Sequence, residues 1–359
     1  MKRSLFFLAG LITVFCFTSA SAQTQKSAFK VAKTIQLTGD GGWDYLSVDE
    51  AGQKLFVSHS SQVNVVDLKT GAEVAVIPET SGVHGIAVAN DLNKAFISCG
   101  RDSSVLVVDL TNFKVLGRVQ GTGKNPDAIL YDQFSKKVFT FNGRSSNSTV
   151  IDANTLKIIA TIPLAGKPEF SQTDGKGKIF VNIEDKSSLS VINAVTLKVD
   201  QTWSIAPGEE PSGLALDNEN HRLFSVCGNK LMVVSDAILG KVITTVPIGD
   251  GCDGVAFDPA TKQIFASNGE GTITVIQQVN APKTEKVRDV QTGELKVKTV
   301  SSNEYKVLEN FTTQQGARTI TVDKTTHHIY VSGGEYGEGT GRRPVKPNTF
   351  KVLDIEPLK

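Results

Sequence analysis

The feature that most constrains this fold is a motif that returns seven times along the chain. Each copy is a short strand-like run, and all seven copies end in Asp or Asn. From the second residue of one copy to the second residue of the next, the spacings are 40, 43, 42, 43, 41 and 65 residues. Such a period predicts a repeat architecture. The copies are WDYLSVD (43–49), VHGIAVAN (83–90), PDAILYD (126–132), PEFSQTD (168–174), PSGLALD (211–217), CDGVAFD (252–258) and ARTITVD (317–323).

Each unit continues with three further strand-like segments. The first of these carries an aromatic residue at a fixed position, the second resembles VNVVDL (63–68), and the third resembles KVLGRV (114–119). Apolar residues alternate at a period of two and β-branched residues are frequent, which favours strands over helices. Four short strands in a unit of ~40 residues are typical of a propeller blade. The aromatic column is Phe56, Phe96, Phe139, Phe180, Phe224, Phe265 and Tyr330.

The two ends of the repeat region are complementary. FKVAKTIQL (29–37) has the pattern of the fourth strand of a unit, but the first three strands of that unit do not precede it. The last unit, in contrast, supplies only three segments, at 317–323, 328–332 and 349–355. The N-terminal strand can therefore complete the last blade, which removes exposed sheet edges. We predict an all-β, seven-bladed β-propeller that occupies residues 23–359 as one domain.

Two insertions interrupt the repeat. Residues 280–304 lie between the third and fourth strands of blade six, and residues 335–348 lie between the second and third strands of blade seven. The second insertion is rich in Gly and Pro, which indicates a loop. Long loops of this kind either cover a site or carry no function, and the sequence leaves both interpretations open.

The N-terminus has the order of a secretory signal peptide. Lys2 and Arg3 precede an apolar run from 5 to 17, and Ala20-Ser21-Ala22 precedes Gln23. This pattern predicts cleavage of residues 1–22 and a periplasmic or secreted protein. The apolar run is too short to anchor the chain, so no membrane span is expected after cleavage.

The net charge of the mature chain limits the classes of partner that are expected. Without Lys2 and Arg3, 36 basic residues face 37 acidic residues, which gives a net charge of −1. A near-neutral chain predicts no nucleic-acid partner. A closed propeller needs no second copy, so a monomer is expected.

Three cysteines remain after signal cleavage: Cys99, Cys227 and Cys252. Cys227 follows the second strand of blade five and Cys252 opens the first strand of blade six, so both are expected on one face. They are either a disulfide pair or two small buried residues. No CxxC or CxxCH motif is present, which argues against a covalent c-type haem.

The second residue of each motif, here called a marker residue, is the main candidate for function. The first strand of each propeller blade lines the central channel, so the marker residues should surround one mouth. Together they form what we call the mouth ring: Asp44, His84, Asp127, Glu169, Ser212, Asp253 and Arg318. A second column should lie further out on the same face: Ser61, Arg101, Arg144, Asp185, Asn229, Glu270 and Glu335, with Asn142, Asn182, Glu184 and Asn268 nearby.

The mouth ring permits two interpretations. It could bind a polar ligand, with Asp44, His84 and Arg318 as the leading residues because their blades adjoin the closure. Alternatively, its side chains are hydrated or paired with one another. Clustered carboxylates can hold a divalent cation such as calcium, although no cofactor is otherwise predicted. Carboxylates held close together also raise one another's pKa values.

The repeated strand with V-x-V-[IV]-D resembles the YVTN-repeat propellers, the YncE-like proteins of bacterial envelopes. GGWDYLSVD, NPDAILYD, EEPSGLALD and QGARTITVD carry the likeness, which covers nearly the whole mature chain. The resemblance implies an exported propeller and leaves the biochemical role open. WD-repeat proteins carry Trp-Asp in each blade, whereas this chain has it once, at Trp43-Asp44.

Three functions remain compatible with these observations. The favoured one is a non-catalytic binding or scaffold protein whose mouth holds a small ligand or an envelope protein. The alternative is a metal-dependent lactonase or hydrolase that uses Asp44, Asp127, Glu169 and Asp253 as ligands or base. A further alternative is an accessory to a periplasmic redox enzyme. The G-x-S-x-G and phosphate-loop motifs are both missing from the sequence.

Overall fold

A computed structural model describes residues 27–288, 295–338 and 344–358, with side chains outside 280–303. The predicted signal peptide at 1–22 lies outside the described residues. In those residues the chain forms seven four-stranded antiparallel sheets in a ring, which confirms the seven-bladed β-propeller. Only two single 3₁₀ turns, Asn90–Leu92 and Glu184–Lys186, interrupt the strands of the described segments.

The first six blades each contain four consecutive strands of the chain. Blades one to three comprise β2 Trp43–Asp49, β3 Lys54–His59, β4 Gln62–Asp67, β5 Glu73–Ile77, β6 Val83–Ala89, β7 Lys94–Cys99, β8 Ser104–Asp109, β9 Val115–Gln120, β10 Pro126–Asp132, β11 Lys137–Asn142, β12 Asn147–Asp152 and β13 Ile158–Pro163. Blades four to six comprise β14 Pro168–Thr173, β15 Lys178–Ile183, β16 Ser188–Asn193, β17 Lys198–Ser204, β18 Pro211–Asp217, β19 Arg222–Cys227, β20 Leu231–Asp236, β21 Val242–Pro247, β22 Cys252–Asp258, β23 Gln263–Asn268, β24 Thr272–Arg288 and β25 Leu295–Thr312.

Blade seven joins the two ends of the chain, as predicted. It contains β26 Ile320–Val322, β27 Ile329–Gly333, β28 Lys351–Pro357 and, as its outermost strand, β1 Phe29–Gln36. The pairing of β1 with β28 runs from Phe29 opposite Pro357 to Gln36 opposite Lys351. The backbone N–H of Leu358 also donates to the carbonyl of Ala28 at 2.7 Å. The ring is therefore closed by backbone hydrogen bonds.

The core is divided among the contacts between neighbouring blades. The described residues form seven buried apolar clusters, one at each contact. Each aromatic residue of the predicted column packs in a different cluster and is at most 2% exposed. The repeated aromatic therefore fills the space between its own blade and the next, which explains why one large side chain recurs in every unit.

The two insertions leave the ring on opposite faces. Residues 280–304 continue β24 and β25 as one long hairpin, with Arg288 opposite Leu295. Because β24 starts at the face of the mouth ring, this extension projects from the other face. In the second insertion Tyr336 pairs with Val345, and the Tyr336 ring lies 5.8 Å from the ring of Trp43. This insertion therefore covers part of the mouth face.

Cys227 and Cys252 are buried free thiols in this structure, which does not contain the disulfide considered from the sequence. Each Sγ hydrogen-bonds to a carbonyl two residues away on its own strand, that of Ser225 and that of Gly254 respectively. Burial raises the pKa of both thiols, to about 12 for Cys227. Thiols held protonated in this way are poor reactants for disulfide formation.

In the described residues no helix has the length and apolar character needed to cross a membrane.

Candidate binding site at the channel mouth

The mouth ring owes its geometry to an irregularity that recurs in the first strand of blades one to six. In each of these blades, the register with the second strand shifts at the marker residue. In blade one, for example, Trp43 pairs with His59 and the next pair is Leu46 with Val57. Such bulges release residues from the regular ladder and redirect their side chains. The shift frees the marker side chains to point at the mouth.

His84 lies between two carboxylates from the blades on either side. Its Nδ1 lies 2.6 Å from Oδ2 of Asp44 and 3.5 Å from Oδ1 of Asp127. The Asp44 and Asp127 side chains are only 13% and 16% exposed, so water screens these contacts weakly. Of the three leading residues predicted from sequence, Asp44 and His84 are in direct contact, and the third partner is Asp127 rather than Arg318.

Two other carboxylates of the mouth ring have basic partners of their own. Arg318 donates to Oδ2 of Asp253 at 2.5 Å. Lys167 contacts Oε1 of Glu169 at 2.7 Å and also donates to Glu184. Lys167 was missed in the sequence because it lies two residues before the marker, outside both columns. The lysine explains how the buried Glu169 is held at the mouth.

Tyr45 is the buried centre of the site. Its residue is 7% exposed, and its pKa is raised well above the usual value by burial and by the charges of Asp127, Asp44, Asp253 and Glu169. Carboxylates from four blades all raise the pKa of this one hydroxyl, so Tyr45 lies near the axis of the channel. No described hydrogen bond involves this hydroxyl, which is not one of the fully buried side-chain atoms without a partner. The position next to a marker residue gave no signal for this role.

Tyr45 and Phe170 form a partition across the channel. They belong to blades one and four, which lie on opposite sides of the ring, and their ring centroids are 5.1 Å apart. Below them the channel contains a cavity of about 230 Å³, lined by the first strands. The two rings therefore lie between the marker residues and this cavity.

The backbone of the ring is fixed by hydroxyl groups from neighbouring blades. Ser98 donates to the carbonyl of Asp127 at 2.6 Å, Ser267 donates to that of Arg318 at 2.5 Å, and Thr319 donates to that of Asp44 at 2.6 Å. Each bond joins one blade to the marker of another. The charged side chains are thus mounted on a rigid frame, which is the usual arrangement of a binding site on a scaffold.

The charges shift the pKa values at the mouth upward. Burial alone would lower the pKa of His84, but the carboxylates of Asp44, Asp127 and Glu169 outweigh it and raise that pKa to about 9. Burial, followed by neighbouring carboxylates, raises the pKa of Asp127 and of Glu169. The site thus retains protons at a pH where isolated carboxyl groups have lost them.

The outer residues predicted from sequence divide into different roles. Asn142 is fully buried and donates to Asn147 at 2.8 Å and to Thr149 at 3.0 Å, so it stabilises its own hairpin. Arg101 and Arg144 are exposed, and the described contacts join neither side chain to the mouth ring. Glu184 is half-buried and takes part through Lys167. Of the four outer candidates, only Glu184 belongs to the site.

A cleft of about 1000 Å³ opens beside Arg318. Trp43 and Tyr336 contribute aromatic side chains to it, and Trp43 Nε1 donates to the carbonyl of Gly316 at 3.2 Å. Much of the remaining lining is glycine backbone at positions 41, 42, 251, 269 and 316. The cleft offers a route to the mouth ring from solvent.

The pKa shifts predict that the metal-free protein loses stability as the pH rises. The pKa values are raised to about 6 for Asp127, about 8 for Glu169 and about 9 for His84. The folded state therefore binds more protons than the unfolded chain between the unfolded carboxyl pKa, about 4, and about 9, so the free energy of unfolding falls across this range. We expect the melting temperature to decrease from pH 5 to pH 9, by about 2 °C for each kcal/mol lost.

The same measurement on Glu169→Gln tests the cause. The substitution should flatten the upper part of this pH dependence, whereas Glu209→Gln, at an exposed position outside the ring, should leave it unchanged. A melting temperature of the parent protein that rises with pH over this range would show that the mouth ring does not hold these protons.

Comparison with known proteins shows the fold alone. Hydrazine synthase from Kuenenia stuttgartiensis superposes with a TM-score of 0.67 and 17% identity over 88% of this chain and 96% of that one. The WD40 repeats of RRP9 superpose with a TM-score of 0.70 and 9% identity, over 90% of this chain and 97% of that one. U3-55K superposes with a TM-score of 0.69 and 10% identity, over 91% of this chain and 98% of that one. No family model and no curated protein matches the sequence. This chain is therefore similar to seven-bladed β-propeller proteins across almost its entire described length.

Proposed function

We propose that the protein is an exported, non-catalytic binding propeller whose channel mouth takes a small ligand that carries positive charge. The observation that carries this proposal is the convergence of carboxylates from four blades around Tyr45, a residue that is 7% exposed. A rigid scaffold on which a few polar groups converge in a recess is a common form of a small-ligand site.

The charge of the recess indicates the sign of the ligand. Four marker residues and Glu184 are carboxylic acids, whereas three side chains in contact with them are basic: His84, Lys167 and Arg318. Among the described side chains of the mouth the acids outnumber the bases, and the pKa values of Asp127 and Glu169 are raised first by burial and then by neighbouring carboxylates. A bound cation would take the place of the retained protons.

Export and family membership belong to the same proposal. The pattern of residues 1–22 and the likeness to the YncE-like, YVTN-repeat propellers support a periplasmic or secreted protein. Expression of the full chain in a Gram-negative host should yield a mature protein that starts at Gln23 outside the cytoplasm. Recovery of the intact chain, starting at Met1, from the cytoplasm would contradict export and would leave the binding site untouched.

A hydrolase that uses the same ring is less favoured. A general base needs a carboxylate or imidazole that is free to accept a proton from water or substrate. Asp44, Asp127 and Asp253 each contact a basic side chain, and so does Glu169. Side chains paired in this way are suited to holding charge in place.

Calorimetric titration of the metal-free full chain tests the proposal. The probes are Zn²⁺, 1,4-diaminobutane, the uncharged 1,4-butanediol and the dicarboxylate succinate. We expect at least one of the two cationic probes to bind with a stoichiometry of one, and neither the diol nor succinate to bind. The double substitution of Asp44 and Asp127 by Asn should remove that binding.

Glu209→Gln serves as the control, because it removes an exposed carboxylate outside the ring. Circular dichroism should show that all variants retain the propeller. Failure of both cations to bind, or binding of succinate in their place, would overturn the proposed function.

A further inference from the structure

We propose that the cation is a divalent first-row transition metal ion, held by Asp44, His84 and Asp127. This inference rests on the cation-binding function proposed above and assigns the ligand set. Each of the three residues offers one ligand atom, and these atoms lie within 4.8 Å of one another. Three protein ligands with an open fourth position form the usual exchangeable site of a zinc-like ion.

The observed distances fit such an ion after a small movement. Metal–nitrogen and metal–oxygen bonds of about 2.1 Å in tetrahedral geometry place two ligand atoms about 3.4 Å apart. Nδ1 of His84 already lies 3.5 Å from the nearer oxygen of Asp127. Its separation from Asp44 is 2.6 Å, a hydrogen bond that must lengthen by less than ~1 Å to admit the metal.

The surroundings hold the three ligands in place. The carbonyls of Asp44 and Asp127 accept hydrogen bonds from Thr319 and Ser98, which fixes the backbone on both sides of the imidazole. At Gly100, a Cβ atom would lie 2.8 Å from both Cδ2 and Nε2 of His84. Glycine at this position therefore makes room for the imidazole ring, which turns Nδ1 toward the two carboxylates.

The hydroxyl of Tyr45 is the second observation that points to a ligand. Tyr45 is more than nine-tenths buried, its pKa is raised by Asp44 and Asp127 among other carboxylates, and no described hydrogen bond involves its hydroxyl. The hydroxyl is not one of the fully buried atoms without a partner, so the space next to it can admit a ligand or a water molecule. A metal-bound water at the open position would accept or donate a hydrogen bond there.

The ligand chemistry selects the kind of metal. Calcium and magnesium prefer oxygen ligands, and calcium takes six to eight of them. A set of one imidazole and two carboxylates suits zinc, nickel, copper and iron better. The carboxylates alone would be compatible with calcium. Because an imidazole lies between the two carboxylates, we propose a transition metal ion at this site instead.

The test titrates Zn²⁺, Co²⁺ and Ca²⁺ into the full chain after removal of metals with a chelator. We expect one equivalent of Zn²⁺ to bind, protons to be released on binding, and Ca²⁺ to bind at least 100-fold more weakly. Bound Co²⁺ should develop the visible absorption of a four- or five-coordinate ion. His84→Gln should weaken Zn²⁺ binding by more than the ~10–100-fold that loss of an outer-shell partner costs.

The matched control is His327→Gln. His327 also contacts a carboxylate, Nδ1 to Oδ2 of Asp258 at 2.8 Å, but it lies outside the mouth ring. The control should bind Zn²⁺ like the parent. Equal affinity of the parent and His84→Gln would overturn the metal site, as would Ca²⁺ binding as tight as Zn²⁺ binding. Binding of 1,4-diaminobutane without Zn²⁺ would overturn the metal site and leave the proposed function standing, whereas binding of neither would overturn both.

Discussion

Replacement of Ile35 by Asp should unfold most of the protein under mild denaturing conditions. Ile35 lies on β1 and packs in the apolar cluster between blades seven and one, where it is 6% exposed. A carboxylate there would lie within the apolar cluster, and an uncompensated buried charge costs about 3–5 kcal/mol. That is a large part of the ~5–15 kcal/mol that stabilises an ordinary domain. Urea unfolding, followed by the fluorescence of Trp43 in the same cluster, measures the loss.

Val31→Asp is the matched control for this experiment. Val31 lies on the same strand but is 41% exposed, so its replacement should change the free energy of unfolding by less than about 0.5 kcal/mol. If both variants were equally stable, the closing strand would contribute little to the stability of the ring.

Phe224→Ala should be the most damaging change within a single blade contact. The Phe224 side chain is fully buried, and its ring meets Phe257 at 5.4 Å and Tyr305 at 5.8 Å between centroids. Truncation removes apolar contacts and leaves a cavity, which costs about 3–5 kcal/mol for a buried phenylalanine. Phe224→Leu should recover more than half of this loss because it refills most of the volume. Equilibrium denaturation of both variants provides the comparison.

Phe134→Ala controls for the loss of a ring as such. Phe134 is 53% exposed, and its truncation should cost less than about 1 kcal/mol. A loss as large as that of Phe224→Ala would mean that burial between blades does not determine the importance of these rings.

The fold could be predicted from sequence because each unit carries its own local signals. The repeat period, the aromatic column and the single strand-like segment at 29–37 can all be recognised in the amino-acid sequence. The structure confirms the seven blades and the closing strand. The Asp at the end of the motif also acts as expected in blade one, where Oδ1 of Asp49 accepts from the N–H of Gly52 at 2.9 Å.

The site was predictable only in part because its contacts join blades that are distant in sequence. Position in the repeat was sufficient to bring the marker residues to one mouth. It could not show that His84 bridges Asp44 and Asp127, or that Lys167 holds Glu169. Nor could it show that the guanidinium of Arg318 pairs with Asp253 in blade six.

The shared seventh blade also sets the order in which the molecule can be completed. Every other blade is made from consecutive strands and can assemble as soon as its own segment has been synthesised. The first strand of the ring in sequence, β1, must wait for β28, which follows all other strands of the ring. During that interval blades one and seven expose bare edges and apolar faces, the surfaces through which unfinished sheet proteins associate with one another. The pairing of β28 with β1 therefore decides whether a nearly assembled molecule becomes a closed one or an aggregate.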